Sequence, residues 1–291
     1  MYWLQTITPL HVGAGRGVGF VDMPIMREKI TEWPLVPGSA VKGVMRDHFR
    51  LNGSDEKTMN TVFGKATSDD SANAGSLVLT DAHIVCLPVR SLYGTFAYVT
   101  SPLVLKRLKR DLEAAGYNGL PETPSPKEEE EAYHTRSSAL IPAQEGGKIF
   151  LEDLDFTAVH NEAADEWAGK LAGMLFSNEK EWEAVFKERF TVLADDNFTF
   201  LAKTGTEVAA RIRIKDETKT VDKGGLWYEE SLPPETILAG LAWCDRVFGN
   251  SNLTKKKILD DFCPEKGLNL QIGGKATVGK GRVRCFFTTG G

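Results

Sequence analysis

The hydrophobic patterning of this chain predicts an α+β fold of the ferredoxin-like, split β-α-β kind, and three observations carry that expectation. A strand pattern opens the chain, the next elements read β-α-β-β-α, and the closing segment supplies further strands. The order alone is also compatible with other α+β arrangements. With 291 residues, 42% of them hydrophobic, the chain has enough apolar material for a substantial core.

Tyr2 to Thr8 reads as the opening strand and runs into HVGAGRGVGF, where Gly13, Gly15, Gly17 and Gly19 stand too close together for regular structure. The first helix is expected to begin at Ser39, a good N-cap after Pro37 and Gly38. Val41, Val44, Met45 and Phe49 give it one buried face, and Gly53 lies just beyond its end. Lys42, Arg46 and Arg50 recur every four residues on that helix as one basic stripe. Strand patterns follow around Ser76 to Leu87 and at Thr95 to Thr100, then a helix from Leu103 to Ala115. The Pro/Glu-rich run from Gly116 to Glu131 reads as an exposed loop, and two polar amphipathic helices are expected at Asn161 to Phe176 and Glu179 to Phe190. EVAARIRI from Glu207, a turn at KDET and LWYEESL up to Leu232 form an exposed β-hairpin. The chain closes with a strand, a second glycine-rich basic loop and a strand in which Arg282 and Arg284 alternate with apolar residues. No repeat of solenoid length is visible.

The net charge of -5 speaks at first against nucleic acid, because phosphate binding needs a basic footprint. The charge is unevenly spread. Between Asp111 and Phe190 there are 18 acidic and 7 basic residues, a balance of -11, so the remainder of the chain carries +6, and that remainder is where RNA is expected to bind. The acidic part reads as solvated surface. The N-terminus MYWLQTITPLH has no basic leader before an apolar run, and the longest apolar stretch, around Ile237 to Cys244, is far short of a membrane span. Neither secretion nor membrane insertion is expected. Cys86, Cys244, Cys263 and Cys285 form no C-x-x-C pair and no zinc spacing, and read as reduced, mostly buried thiols.

Two nucleotide motifs fail on spacing. A G-x-G-x-x-G beginning at Gly13 would need glycine where Val18 stands, and the loop runs into VDMP instead of opening a helix. Lys42 lacks the glycines that a phosphate-binding Walker loop places before its lysine.

Five collinear blocks remain: TPLHVGAG, VDMPIMREKITEWPLVPGSAVKGVMR, LPVRSLYGTFAYVTSPLVLKRLKRDLEAAG, VAARIRI with GGLWYEESLP, and QIGGKATVGKGRV. Together they strongly resemble the fourth-subunit Cmr proteins, the RAMP-family backbone subunits of type III-B CRISPR complexes, with the match weakest from Gly116 to Ala194. The resemblance implies a modified RNA-recognition fold shaped like a hand. It would be one domain over residues 1–291, with an insertion at about 116–200 and a thumb hairpin at about 204–232. It also implies the partners: CRISPR RNA, single-stranded target RNA, further copies of the chain and other Cmr subunits, in the cytoplasm and with no membrane. The activity it implies is cleavage of target RNA at regular intervals with a divalent ion, Mg2+ or Mn2+. By position in VDMPIMRE the cutting residue is Asp22.

Taken alone, an aspartate before Met23 and Pro24 is most often a turn residue; the full block reverses that preference. RNA carries its own nucleophile in the 2′-hydroxyl, so the protein need only distort the backbone, help deprotonate that hydroxyl and stabilise charge on phosphorus. Asp22 suits either the base or the metal ligand, or both at once. His11 and Glu229 are auxiliary candidates, against the plainer readings of a polar loop histidine and a surface carboxylate. Guide-RNA contacts are expected from Arg27, Ser39, Lys42 and Arg46, and from Gly273, Gly274, Gly279, Lys280 and Gly281, where missing side chains permit close approach; the plainer readings are a solvated helix face and a hairpin turn. Trp227 and Tyr228 on the thumb are expected to stack on displaced bases or to lie buried beneath it. Two rival readings share these surfaces: an RNA-binding filament subunit that does not cut, and an endonuclease that processes CRISPR RNA.

Overall fold

A computed structural model describes residues 1–290 apart from 16, 18, 66–72, 143–146, 178, 250 and 251. Among the described residues an 11-stranded mixed sheet forms the spine of the molecule. Third from one end of its strand order is the opening strand, Tyr2–Thr6, buried along its whole length. The reason is that successive side chains of a strand point to opposite faces, and here both faces are covered. Tyr2 and Leu4 enter one core with Val41, Met45, Ile258 and Phe262, while Trp3 enters a second with Leu105, Leu108, Trp167 and Leu171.

Arg282–Phe287 and Ile237–Gly240 pair antiparallel on either side of the opening strand, and Ala82–Arg90 pairs antiparallel with Ile237–Gly240. The helix Gly38–Leu51 lies in the chain between Tyr2–Thr6 and Ala82–Arg90, and the helix Lys255–Phe262 between Ile237–Gly240 and Arg282–Phe287. Both helices pack into the same core. This is the split β-α-β arrangement, so the expected fold class stands.

The elements that complete it differ from those expected. Phe96–Thr100 and Pro102–Ala114, the hairpin partner and helix read from the local pattern, lie outside the split pattern. Phe96–Thr100 instead extends the sheet through Phe190–Leu193, Glu131–His134, Leu154–His160 and Lys148–Leu151. What places Ile237–Gly240 beside the opening strand is contact far along the chain: a Cβ on Gly240 would lie 2.6 Å from the Tyr2 ring, so glycine lets these backbones pair.

The helices Pro102–Ala114, Glu162–Leu175 and Lys180–Arg189 cover the second face of the sheet. Open RNA-recognition sheets use an uncovered face to stack bases, whereas here the covered sheet leaves the loops and the hairpin as the open surfaces. The helix boundaries follow local capping. Ser101 accepts a bond from Val104 N–H, and Asn161 accepts one from Ala164 N–H at 3.0 Å. The run from Gly116 to Glu130 has no regular element, as its composition predicts, and is pinned by Lys109 Nζ donating to the Pro121 carbonyl at 2.9 Å and Trp167 Nε1 donating to that of Glu122 at 2.8 Å. Cys86, Cys244 and Cys285 are buried free thiols and Cys263 is half-buried. Among the described residues no helix is long and apolar enough to cross a membrane.

The expected hairpin is present as Glu207–Ile214 paired antiparallel with Val221–Ser231. A register shift between Ile212 and Ile214 bends it, and Val208, Ile212, Ile214, Val221 and Leu226 are exposed along it.

Candidate nucleic-acid interface at the root of the hairpin

The segment after the first glycine loop meets the second arm of the hairpin at a single parallel bridge, Met23 to Glu229. Met23 N–H donates to the Tyr228 carbonyl at 3.0 Å and Glu230 N–H donates to that of Met23 at 3.0 Å. This pairing places the exposed Asp22 at the hairpin root, where its Oδ2 accepts the Tyr228 N–H at 2.8 Å. Asp22, Met23, Arg213, Leu226, Trp227 and Lys275 line one open cleft.

Two buried glutamates organise that cleft. Glu230 accepts from Ile25 N–H at 3.0 Å and from Thr206 Oγ1 at 2.8 Å, and pairs with the Arg27 guanidinium. Arg27 also donates to the carbonyls of Glu32 at 2.7 Å and Ala202 at 3.0 Å. Arg27 thus commits three of its five donors inside the chain, holding the segment that bears Asp22. Glu229 accepts from Trp227 Nε1 and from Lys275 Nζ, each at 2.7 Å, and from Arg211 Nε at 3.4 Å. Burial by itself would raise the Glu229 carboxyl, but the bonds from Lys275 and Trp227 and the charges of Lys275 and Arg211 outweigh it and hold it at about 2. A carboxylate so firmly ionised and so fully bonded is a positioning group, not a base that exchanges protons near neutrality.

His11 is also buried. Its Nδ1 lies 2.6 Å from the Glu230 carbonyl oxygen, so that nitrogen carries the proton and donates it. The second glycine loop packs on His11: Gly273, at φ +76°, comes so close that a Cβ would lie 2.3 Å from the His11 carbonyl oxygen. Gly274 N–H donates to that same carbonyl, and Gly281 N–H to the carbonyl of Pro9, each at 2.9 Å. Gly273, Gly274 and Gly281 thus dock one loop on the other, while Gly279 faces open space.

Two other cations, Lys280 in this loop and Arg46 on the first helix, also bond within the chain. Lys280 points inward, donating to Ser231 Oγ at 2.7 Å, and burial lowers its pKa. The N-cap of Gly38–Leu51 is Pro37 rather than Ser39, and Gly38 N–H already donates to Asp81 Oδ1 at 2.8 Å. Ser39 is exposed in the first turn. Arg46 donates to the Gly64 carbonyl and to Asn60 Oδ1, bracing the first helix against the next, Glu56–Phe63. Lys42 is half-buried, and burial lowers its pKa.

Trp227 is half-buried with its ring N–H held by Glu229, and Tyr228 stacks on Phe20 with centroids 5.0 Å apart. Phe20 itself is 79% exposed, which leaves an aromatic face beside Asp22. The sequence reading missed Phe20, Arg211, Arg213 and Lys275. A sequence signal existed for two of them: an aromatic residue closing the glycine loop, and a lysine directly after Gly273 and Gly274.

A ferredoxin-like sheet with both faces covered, a standing hairpin and two interlocked glycine loops is the architecture of a class of RNA-handling proteins, and the family model of the RAMP superfamily matches residues 3–284. The CRISPR system Cmr endoribonuclease Cmr4 of Pyrococcus furiosus is 39% identical over 284 residues, covering 97% of this chain and 92% of that protein. The CRISPR system CMR subunit Cmr4 of Saccharolobus solfataricus is 26% identical, covering 97% of this chain and 94% of its own. A crystal structure of oligomeric Cmr4 from Pyrococcus furiosus superposes with a TM-score of 0.75 at 30% identity, covering 99% of this chain and 97% of that one. The chain belongs to the RAMP superfamily and, within it, to the Cmr4 family.

Proposed function

We propose that this chain is a cytoplasmic backbone subunit of a type III-B CRISPR effector complex, assembling in several copies with other Cmr subunits along CRISPR RNA and cutting complementary target RNA at Asp22. The relative named an endoribonuclease, alike over nearly the whole chain, supports the activity, and the oligomeric relative supports self-assembly. The observation that carries the reading is the exposed Asp22 carboxylate at the hairpin root, with one oxygen fixed by Tyr228 N–H in a cleft also lined by Arg213 and Lys275.

In this mechanism the hairpin keeps the target strand out of A-form stacking, so that a 2′-oxygen can line up with the phosphorus and the leaving 5′-oxygen. Asp22 accepts the 2′-hydroxyl proton as the bond from the 2′-oxygen to phosphorus forms. The bond from phosphorus to the 5′-oxygen breaks, the 5′-oxygen takes a proton from water, and the products end in a 2′,3′-cyclic phosphate and a 5′-hydroxyl. Among the described residues that line the cleft, Asp22 is the carboxylate. Asp22 would be the residue to hold an Mg2+ or Mn2+ ion there, and such an ion would supply charge to the transition state.

The test replaces Asp22 by Ala and by Asn in the reconstituted complex and follows labelled target RNA on denaturing gels, with target binding measured on the same preparations. Both variants should bind target as the wild type does and cut none of it. Asparagine keeps the shape but loses the charge, so equal inactivity assigns the role to the charge. Cutting at the wild-type rate by the alanine variant would make Asp22 a turn residue and leave the non-cutting filament subunit as the reading.

A further inference from the structure

Of the cations around the cleft, Lys275 is held in a way that bracing alone does not explain. Its backbone is left-handed, with φ 67° and ψ 28°, at the start of the short 3-10 turn Ala276–Val278. It follows two glycines in a loop where glycine would take that conformation without strain, so the position keeps a side chain at a backbone cost. The other lysine of the loop, Lys280, turns inward to Ser231, whereas the Lys275 side chain remains 30% exposed in the cleft that contains Asp22. Lys275 Nζ gives one of its three protons to Glu229 Oε1 at 2.7 Å, and two remain for a ligand. Because Glu229 is buried and tied also to Trp227 and Arg211, it holds Lys275 aimed into the cleft.

We propose that Lys275 binds a non-bridging oxygen of the scissile target phosphate and offsets the negative charge that grows there as the 2′-oxygen attacks, with Glu229 as the residue that positions it. The proposal rests on the reading of Asp22 as the cutting residue. The two groups divide the chemistry: Asp22 receives the proton, and Lys275 meets the charge on phosphorus. A mobile ammonium in water would do this poorly, whereas one fixed beforehand by a buried carboxylate needs no rearrangement in the transition state.

The experiment uses the complex reconstituted with guide RNA and its partner subunits, carrying Lys275→Ala, Lys275→Arg or Asp22→Ala. Single-turnover cutting and target affinity are measured on RNA with oxygen or sulfur at each non-bridging position of one cleavage site. Lys275→Ala should slow cutting by about 10²-fold at nearly unchanged affinity, and Lys275→Arg should restore a substantial part. The sulfur substitution that slows the wild type should slow Lys275→Ala much less, because the contact it perturbs is already gone. Wild-type cutting by Lys275→Ala, an undiminished sulfur effect, or a loss of guide or target affinity matching the loss of rate would each overturn the proposal. If Asp22→Ala cuts normally, the Asp22 reading fails separately, and Lys275 still stands or falls on the sulfur effect.

Discussion

Replacing Glu28 by Gln should destabilise the chain by about 3 kcal/mol near neutral pH, and by less as the solution is acidified. Glu28 anchors the segment that carries Asp22. Its carboxylate accepts two bonds from Arg107, at 2.9 and 2.7 Å, and one from Thr31 Oγ1 at 2.6 Å, and it touches His83 Nδ1. Burial alone would raise this carboxyl, but the bonds from Arg107 and Thr31 and the charges of Arg107 and His83 bring it from the ordinary 4.5 to about 2. The folded chain thus binds that proton less readily than the unfolded one, so the contribution is complete above about pH 4.5 and fades as the pH falls towards 2. At 1.36 kcal/mol per pKa unit, the interval from 4.5 to about 2 corresponds to about 3 kcal/mol. For a chain of this length that is roughly 5 °C in Tm. Thermal unfolding followed by circular dichroism should show that gap at pH 7 and about half of it at pH 3. A gap that stays constant between those pH values, or none at pH 7, would refute the assignment of Glu28 as an ionised anchor.

The basic stripe of the first helix should divide in function. Lys42→Ala is expected to weaken guide RNA binding and to lower the salt slope by roughly one in filter-binding titrations, whereas Arg46→Ala should lower Tm, because its guanidinium bonds Gly64 and Asn60. Shortening the hairpin between Lys215 and Thr220, which are joined by a bond from Lys215 N–H to the Thr220 carbonyl at 2.9 Å, should leave Tm nearly unchanged and reduce cutting more than target binding. A shortened variant that cuts at the usual sites and rate would remove the hairpin from the mechanism.

Local pattern was enough to find most elements. The opening strand, the helices beginning after Ser101 and Asn161 and the hairpin arms each announce themselves within a few residues, through alternation, a capping side chain or a polar turn. Asp22 was legible too, but through the whole block around it rather than its own character. What the sequence could not reveal were choices made by residues remote from one another along the chain. Ile237–Gly240, rather than the nearby Phe96–Thr100, sits beside the opening strand, because alternation says that a segment is a strand and is silent on its partner. The same limit governed the cations. Arg27, Arg46 and Lys280 look in sequence like phosphate ligands, and nothing in their spacing shows that the fold brings carbonyls, Asn60, Glu230 and Ser231 to take up part of their donors. Lys275 faces the cleft because a left-handed backbone turns it there and Glu229, from the distant hairpin, holds it; periodicity along the chain records neither the sign of one φ angle nor the approach of a remote carboxylate.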